Sequence, residues 1–280
     1  MSLFVFSLVL LAAVMHATWN ALIKMNADRL LVAAWMAGVT SLAGLLMVPF
    51  VPLPNAEAWP FLFASVFIHT GYLLFLVQAY THGDFGQAYP IARGTAPLLS
   101  AMASALILGE LLSITEWLAV ALIGGGVLSL ALHGRGYSTP NPKGVAFALG
   151  TAVFIATYTL IDASGARITD WVHSYVVWQF FLHGIPLVCI TLVLRGRSAL
   201  RVSRQTVMIS TFGGIISLLA YWIVLWALTL TNVASVASLR ETSVIFAAII
   251  ATVFLKERFG WQRIVAACVV ATGVMLLALS

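Results

Sequence analysis

Ten long apolar runs follow one another with only short polar links between them. They cover residues 3–23, 30–51, 58–81, 86–109, 113–133, 144–163, 172–194, 206–229, 233–255 and 259–279. A bilayer core of ~30 Å needs roughly 20 apolar residues of helix to cross it. In lipid the backbone must satisfy its own hydrogen bonds, so only helices or a closed barrel can span. The runs do not alternate, which selects helices. Composition agrees: charged residues make up 8% of the chain, against about a quarter in soluble proteins. Mean hydropathy is +1.04. The expected fold is an all-α membrane protein of ten transmembrane helices.

The chain repeats itself. With an offset of 147, residues 80–132 lie on 227–279 without a gap and share eleven identities. Arg93 falls on Arg240, Thr95 on Thr242, Glu110 on Glu257 and Gly126 on Gly273. Shared hydrophobicity does not explain matched Arg and Glu. Ala17-Thr18-Trp19 echoes Ala156-Thr157-Tyr158 more weakly. The expected units are residues 1–133, a Gly/Pro/Ser-rich linker at 134–143, and residues 144–280. Five helices per unit is an odd number. The second unit must therefore enter the membrane from the opposite side, as an inverted repeat (5+5).

Charge sets the expected orientation. Eleven of the 14 Lys and Arg lie in links after odd-numbered helices, the largest groups being Arg195, Arg197, Arg201, Arg204 and Lys256, Arg258, Arg263. Only Arg167 lies on the other side. The positive-inside rule places the eleven in the cytoplasm and both termini outside, in a bacterial-type inner membrane. The first run has no charged n-region or cleavage site and is read as a helix, not a leader. Cys189 and Cys268 sit in apolar runs as small hydrophobes.

An ionised residue mid-membrane usually faces a cavity or a partner. Arg93 and Arg240 are therefore the leading candidates. The repeat puts them at equivalent depth, and a two-fold would bring them together at the midplane as a paired cationic site. Guanidinium binds carboxylate, phosphate and phosphonate in a bidentate fork. Glu241 replaces Gly94 of the first repeat and serves as fixed counter-ion or proton carrier; the adjacent Arg favours the counter-ion. His16 and Asn20, four apart, share a helical face, and with His69, Gln78, Tyr80 and Tyr89 they form a polar set on helices 1, 3 and 4. Tyr158, Trp222 and Trp226, with Gln179, His183 and Tyr221, offer an aromatic wall in the second half. Asp162 is expected at the aqueous boundary. Pro90 and Pro97 are expected to kink helix 4 or end its local hydrogen bonding, freeing backbone groups near Arg93.

The His-Ala-Thr-Trp-Asn-Ala-Leu-Ile-Lys run at 16–24 resembles the first helix of EamA-type members of the drug/metabolite transporter superfamily. The Tyr-Pro-Ile-Ala-Arg-Gly-Thr-Ala-Pro run at 89–97 and the helix-closing Glu110 and Glu257 are similar to the same family. That resemblance implies a carrier with a central cavity lined mainly by helices 1, 3, 4, 6, 8 and 9. It also implies a small polar metabolite as cargo, often exported, with a proton or counter-substrate as partner. His16 stands where the small multidrug relatives carry an acid, which argues against simple proton-coupled cation export. The opening of helix 1 is also similar to a subgroup associated with phosphonate use. Membrane enzyme and non-transporting scaffold are the competing classes. The first lacks a His-Glu-x-x-His or Gly-x-Ser-x-Gly motif, and the second lacks an extramembrane domain. No cofactor, metal or nucleic-acid partner is expected.

Overall fold

The computed structural model describes residues 1–26, 28–83, 85–132, 141–246 and 261–279. The first half contains α1 (Leu3–Lys24), α2 (Arg29–Met47), α3 (Trp59–His82), α4 (Phe85–Ala103) and α5 (Ile114–Leu132). The second contains α6 (Pro142–Ile168), α7 (Val172–Arg195), α8 (Arg204–Leu228), α9 (Val233–Arg240) and α10 (Trp261–Leu279). Among the described residues, seven helical segments are long and apolar enough to cross a membrane. Two more, Ile114–Ser129 and Val265–Leu277, are apolar but shorter. The expected linker at 134–143 and the lower part of the expected ninth span lie largely outside the described residues, as do Lys256, Glu257 and Arg258.

Several helices start where short polar side chains accept the free N–H groups of the first turn. Ser2 accepts from Val5 N–H, Asp28 from Leu31 N–H, Ser203 from Thr206 N–H and Asn232 from Ser235 N–H. The outer surface is apolar: Leu106, Leu111, Phe50 and Val193 are each more than four-fifths exposed. Arg93, Asp162, Arg240 and Glu241 are buried. This inside-out distribution is what lipid as solvent requires.

Helix contacts come in swapped pairs. Helix α3 packs on α6 as α1 packs on α8, and α4 packs on α6 as α1 packs on α9. Helices α2 and α7, α5 and α10, and α4 and α9 pack on each other. The α5–α10 seam shows the exchange in detail. A Cβ on Gly126 would meet Val270 Cγ2 at 2.8 Å, and one on Gly273 would meet Ile123 Cγ1 at 2.8 Å. Ile123 and Val270 are themselves partners under the 147-residue offset. Each glycine thus admits the side chain that its counterpart's neighbour supplies, and both backbones approach closely because neither has a side chain of its own.

Helix α4 runs through Pro90 and Pro97, whose missing N–H groups break its local hydrogen bonding beside Arg93 without ending it. It widens into a π-helical turn at Ser104–Leu108 and ends at Gly109, whose φ of 66° is left-handed. The irregular helix is α9. After Arg240 the chain tightens into bonds three residues back, from Glu241 N–H to Ser238 O and from Thr242 N–H to Leu239 O. Thr242 Oγ1 also donates to Leu239 O at 2.7 Å. A hydroxyl that competes for main-chain carbonyls loosens the α-helical pattern without any proline.

Candidate functional site

Helices α1, α2, α3, α6, α7, α8 and α9 enclose a cavity of about 70 Å³. Its polar wall consists of His16, His69, Tyr158, Gln179, His183, Tyr221 and Arg240, with Trp19 and Tyr72 beside them. Ile23 and Ala33 extend the wall towards the α1–α2 link, on the face that carries the basic residues. Helices α2 and α7 join the wall, and among the described residues α4 contributes nothing to it. A water's share of liquid volume is about 30 Å³, so the space admits a few waters or a small polar group.

Four buried charges organise the centre. Arg93, on the interior face of α4, donates from Nη1 to Glu241 Oε1 at 3.1 Å. Its guanidinium also lies 5.6 Å from the centre of the Tyr89 ring. Arg240 ends α9 and points into the cavity. Its Nη2 donates to the Tyr158 hydroxyl at 3.2 Å, and its Cζ is 5.6 Å from the Tyr221 ring centre. Among the described residues no carboxylate lies within ion-pair distance of Arg240. The two arginines that the repeat makes equivalent therefore have different partners.

Asp162 is fully buried, not at the aqueous boundary. Helix α6 continues to Ile168, beyond the expected span end at 163, and this places Asp162 inside. Its Oδ1 accepts from the Tyr175 hydroxyl at 3.0 Å and its Oδ2 from the Tyr221 hydroxyl. His69 Nε2 stands 3.8 Å from the same Oδ2. The His69 ring stacks on Tyr158 with centroids 4.0 Å apart and meets His183 edge-on at 5.0 Å.

The remaining expected residues separate into two sets. His16 lines the cavity; its Nδ1 accepts from Trp19 Nε1 at 3.2 Å, so the neutral ring carries its proton on Nε2. That Nε2 has no hydrogen-bond partner among the described residues, and neither do Gln179 Oε1 and His183 Nδ1 on the same wall. Asn20 is buried next to it, with Nδ2 donating to His16 O at 2.9 Å. Tyr80 and Tyr89 are buried behind the wall, Tyr89 with its hydroxyl 3.5 Å from Ser243 Oγ. Trp222 and Trp226 do not line the cavity. Trp222 Nε1 donates to His173 Nδ1 at 2.9 Å, and Trp226 packs edge-on to Phe4 at 6.2 Å. These are the interfacial roles that tryptophan commonly takes in membranes. His69, Gln179, His183 and Tyr221 belong to the wall. Polarity within apolar runs marked all four in the sequence, but helix facing decides which polar residue reaches the centre.

At the opposite end from the basic links, polar contacts tie helix ends together. Arg167 Nη1 pairs with Glu110 Oε1 at 2.7 Å and donates from Nε to Leu228 O at 2.9 Å. Glu110 Oε2 accepts from Val233 N–H at 2.9 Å, at the N-terminus of α9. Asn232 Nδ2 donates to Glu116 Oε1 at 2.8 Å. A carboxylate at a helix N-terminus is well placed for the free N–H groups and the dipole there.

An apolar exterior wrapped around buried charges and a polar cavity defines a multi-pass membrane protein with a polar interior. The family comparison is specific: the model of the EamA-like transporter family matches residues 3–132 and again residues 142–279. The chain belongs to the EamA-like transporter family, within the drug/metabolite transporter superfamily. A solved crystal structure, described only as that of a protein, is similar over 98% of both chains with a TM-score of 0.78 and 18% identity. At that identity the likeness is one of fold. No curated protein matches the chain.

Proposed function

We propose that the protein is a secondary carrier for a small polar metabolite bearing a carboxylate, phosphate or phosphonate, which binds on Arg240. The observation that carries this reading is the asymmetry between the matched arginines. Arg93 is paired with Glu241, and Arg240 faces the cavity with a phenol oxygen and a tyrosine ring, but no carboxylate at ion-pair distance, for partners among the described residues. Asp162 lies within electrostatic reach of Arg240 but not in an ion pair with it, so the guanidinium keeps donors for a carboxylate or phosphate cargo, whose charge-assisted hydrogen bonds are strong ones. His16 Nε2–H and Gln179 Oε1 add one donor and one acceptor to the same wall. This favours cargo with a second polar group, such as an amino acid or hydroxy acid. An α9 that loses its regular pattern at Arg240 fits the general habit of transporters, whose sites gather at irregular helices.

The swapped contacts between the halves support two inverted five-helix units working by alternating access. The tied end at Glu110 and Arg167, opposite a cavity that extends towards the basic links, fits a state closed on one side. With the basic links cytoplasmic, the cargo would enter from the cytoplasm and leave outward, in a bacterial-type inner membrane.

The test is a thermal-shift screen of the purified protein against amino acids, organic acids, phosphonates and quaternary amines, followed by flux in liposomes. A ligand at 100 times its Kd stabilises by about 2.7 kcal/mol. Anionic compounds should stabilise the wild type and not Arg240→Gln, and their flux should saturate and show counterflow. Stabilisation by quaternary amines alone would overturn the reading.

A further inference from the structure

The wall of the cavity holds a second pair of groups whose geometry asks for a proton. His69 Nδ1 lies 3.1 Å from Ser65 O and 3.2 Å from Ser65 Oγ. A carbonyl oxygen only accepts, so Nδ1 carries the hydrogen and Nε2 is left with its lone pair. That lone pair faces Asp162 Oδ2 at 3.8 Å. Two acceptors face each other across a gap too long for a hydrogen bond. One added proton supplies the missing donor: on His69 Nε2 it makes a charge-assisted pair, and on Asp162 Oδ2 a neutral O–H···N bond.

We infer that His69 and Asp162 together hold one exchangeable proton, and that this proton travels with the anion bound on Arg240. The inference rests on the anion-carrier reading of the same cavity and names its coupling partner. Charge balance gives the stoichiometry. The described buried core contains two cations, Arg93 and Arg240, and two carboxylates, Asp162 and Glu241, so its formal charge is zero with neutral histidines. A bound monoanion makes it −1. A net charge in a low-dielectric interior is costly, and one proton on the His69–Asp162 pair restores neutrality. Proton and monoanion then cross together, one for one, without net charge movement.

The surroundings fit a site that stays single. Of the groups facing the pair, Ser65 and Tyr72 come from α3, Tyr158 from α6, Tyr175 and His183 from α7, Tyr221 from α8 and Arg240 from α9. Arg240 alone among them is permanently charged. It is within electrostatic reach of both His69 and Asp162, so the charge state at Arg240 is felt by the proton.

The test needs no ligand. The protein in liposomes of zwitterionic lipid is titrated with pH and followed by infrared difference spectroscopy, with aspartate and histidine isotopically labelled in turn. The wild type should show one buried group whose bands move with the aspartate or the histidine label. Asp162→Asn and His69→Gln should each abolish or displace that titration. Arg240→Gln removes the same unit of positive charge that a bound anion would cancel, and should raise the proton affinity of the pair on the order of tenfold. Arg240→Lys keeps the charge and should leave the affinity near the wild-type value, which also controls for folding. A label-insensitive titration, or one that Arg240→Gln does not move, overturns the inference. Neither result touches the anion site itself, which fails separately if Arg240→Gln keeps the wild-type thermal shift with anionic compounds.

Discussion

Arg93 and Glu241 meet at 3.1 Å across the two halves of the chain, both buried. Glu241 is next in sequence to Arg240, yet its carboxylate reaches the arginine of the other half. Breaking a buried pair leaves a lone charge and costs about 3–5 kcal/mol, whereas replacing both partners by apolar groups is close to neutral. Arg93→Ala should therefore lower thermal stability sharply, and Arg93→Met with Glu241→Leu should recover most of it. If the single and double variants unfold at the same temperature, the pair is not coupled.

Arg240 should behave in the opposite way. Arg240→Gln removes a cavity cation that makes no ion pair with a carboxylate among the described residues, and the His69–Asp162 pair can take up a proton in its place, so stability in the absence of ligand should change little. Binding of an anionic compound found in the screen should fall at least tenfold, since charge-assisted hydrogen bonds to guanidinium are among the strong ones. Measuring both quantities on one preparation separates a binding role from a structural one. A large loss of stability with unchanged affinity would assign Arg240 to structure.

Much of this was legible in the sequence, and the gaps have physical causes. Apolar run length fixed where helices could lie, because lipid leaves the backbone no alternative. The 147-residue offset singled out Arg93, Arg240, Gly126 and Gly273. It could not say which arginine Glu241 would neutralise, since neighbouring residues on a helix point about 100° apart and the choice depends on a partner from the other half. The helix itself continues to Ile168, whereas the apolar run ends at 163, beside Asp162. The tyrosines that bury it, Tyr175 and Tyr221, come from other helices. Pro90 and Pro97 signalled a break that α4 absorbs, and the irregular stretch at Arg240–Thr242 carries no breaker residue at all.

The α5–α10 seam offers a check on packing. Gly126 and Gly273 each face a branched side chain at a distance that leaves no room for a Cβ. Overpacking a tight contact costs roughly 1–3 kcal/mol. Gly126→Ala and Gly273→Ala should each lower the unfolding temperature by similar amounts, and pairing Gly126→Ala with Val270→Ala should restore part of the loss. Gly125, which has open space where its Cβ would be, serves as the control: Gly125→Ala should be neutral or mildly stabilising, as expected for a helix interior.

The ties at Glu110 predict how the chamber changes access. Glu110 joins Arg167 to the N-terminus of α9, and all the groups involved sit at the end remote from the basic links. Glu110→Gln keeps a hydrogen-bond acceptor for Val233 N–H but removes the ion pair, so the closed arrangement at that end should lose population. Ser217, on α8, lines the cavity and can report this as Ser217→Cys, with Cys189 and Cys268 replaced by serine. In right-side-out vesicles, a membrane-impermeant thiol reagent should label Ser217→Cys slowly from outside in the otherwise native chain and several times faster when Glu110→Gln is added. Arg167→Gln should act in the same direction, because it removes the other half of the same pair. Equal labelling rates in all three proteins would mean that these contacts hold the helix ends together without governing entry to the cavity. Faster labelling from the cytoplasmic side only would reverse the assigned orientation.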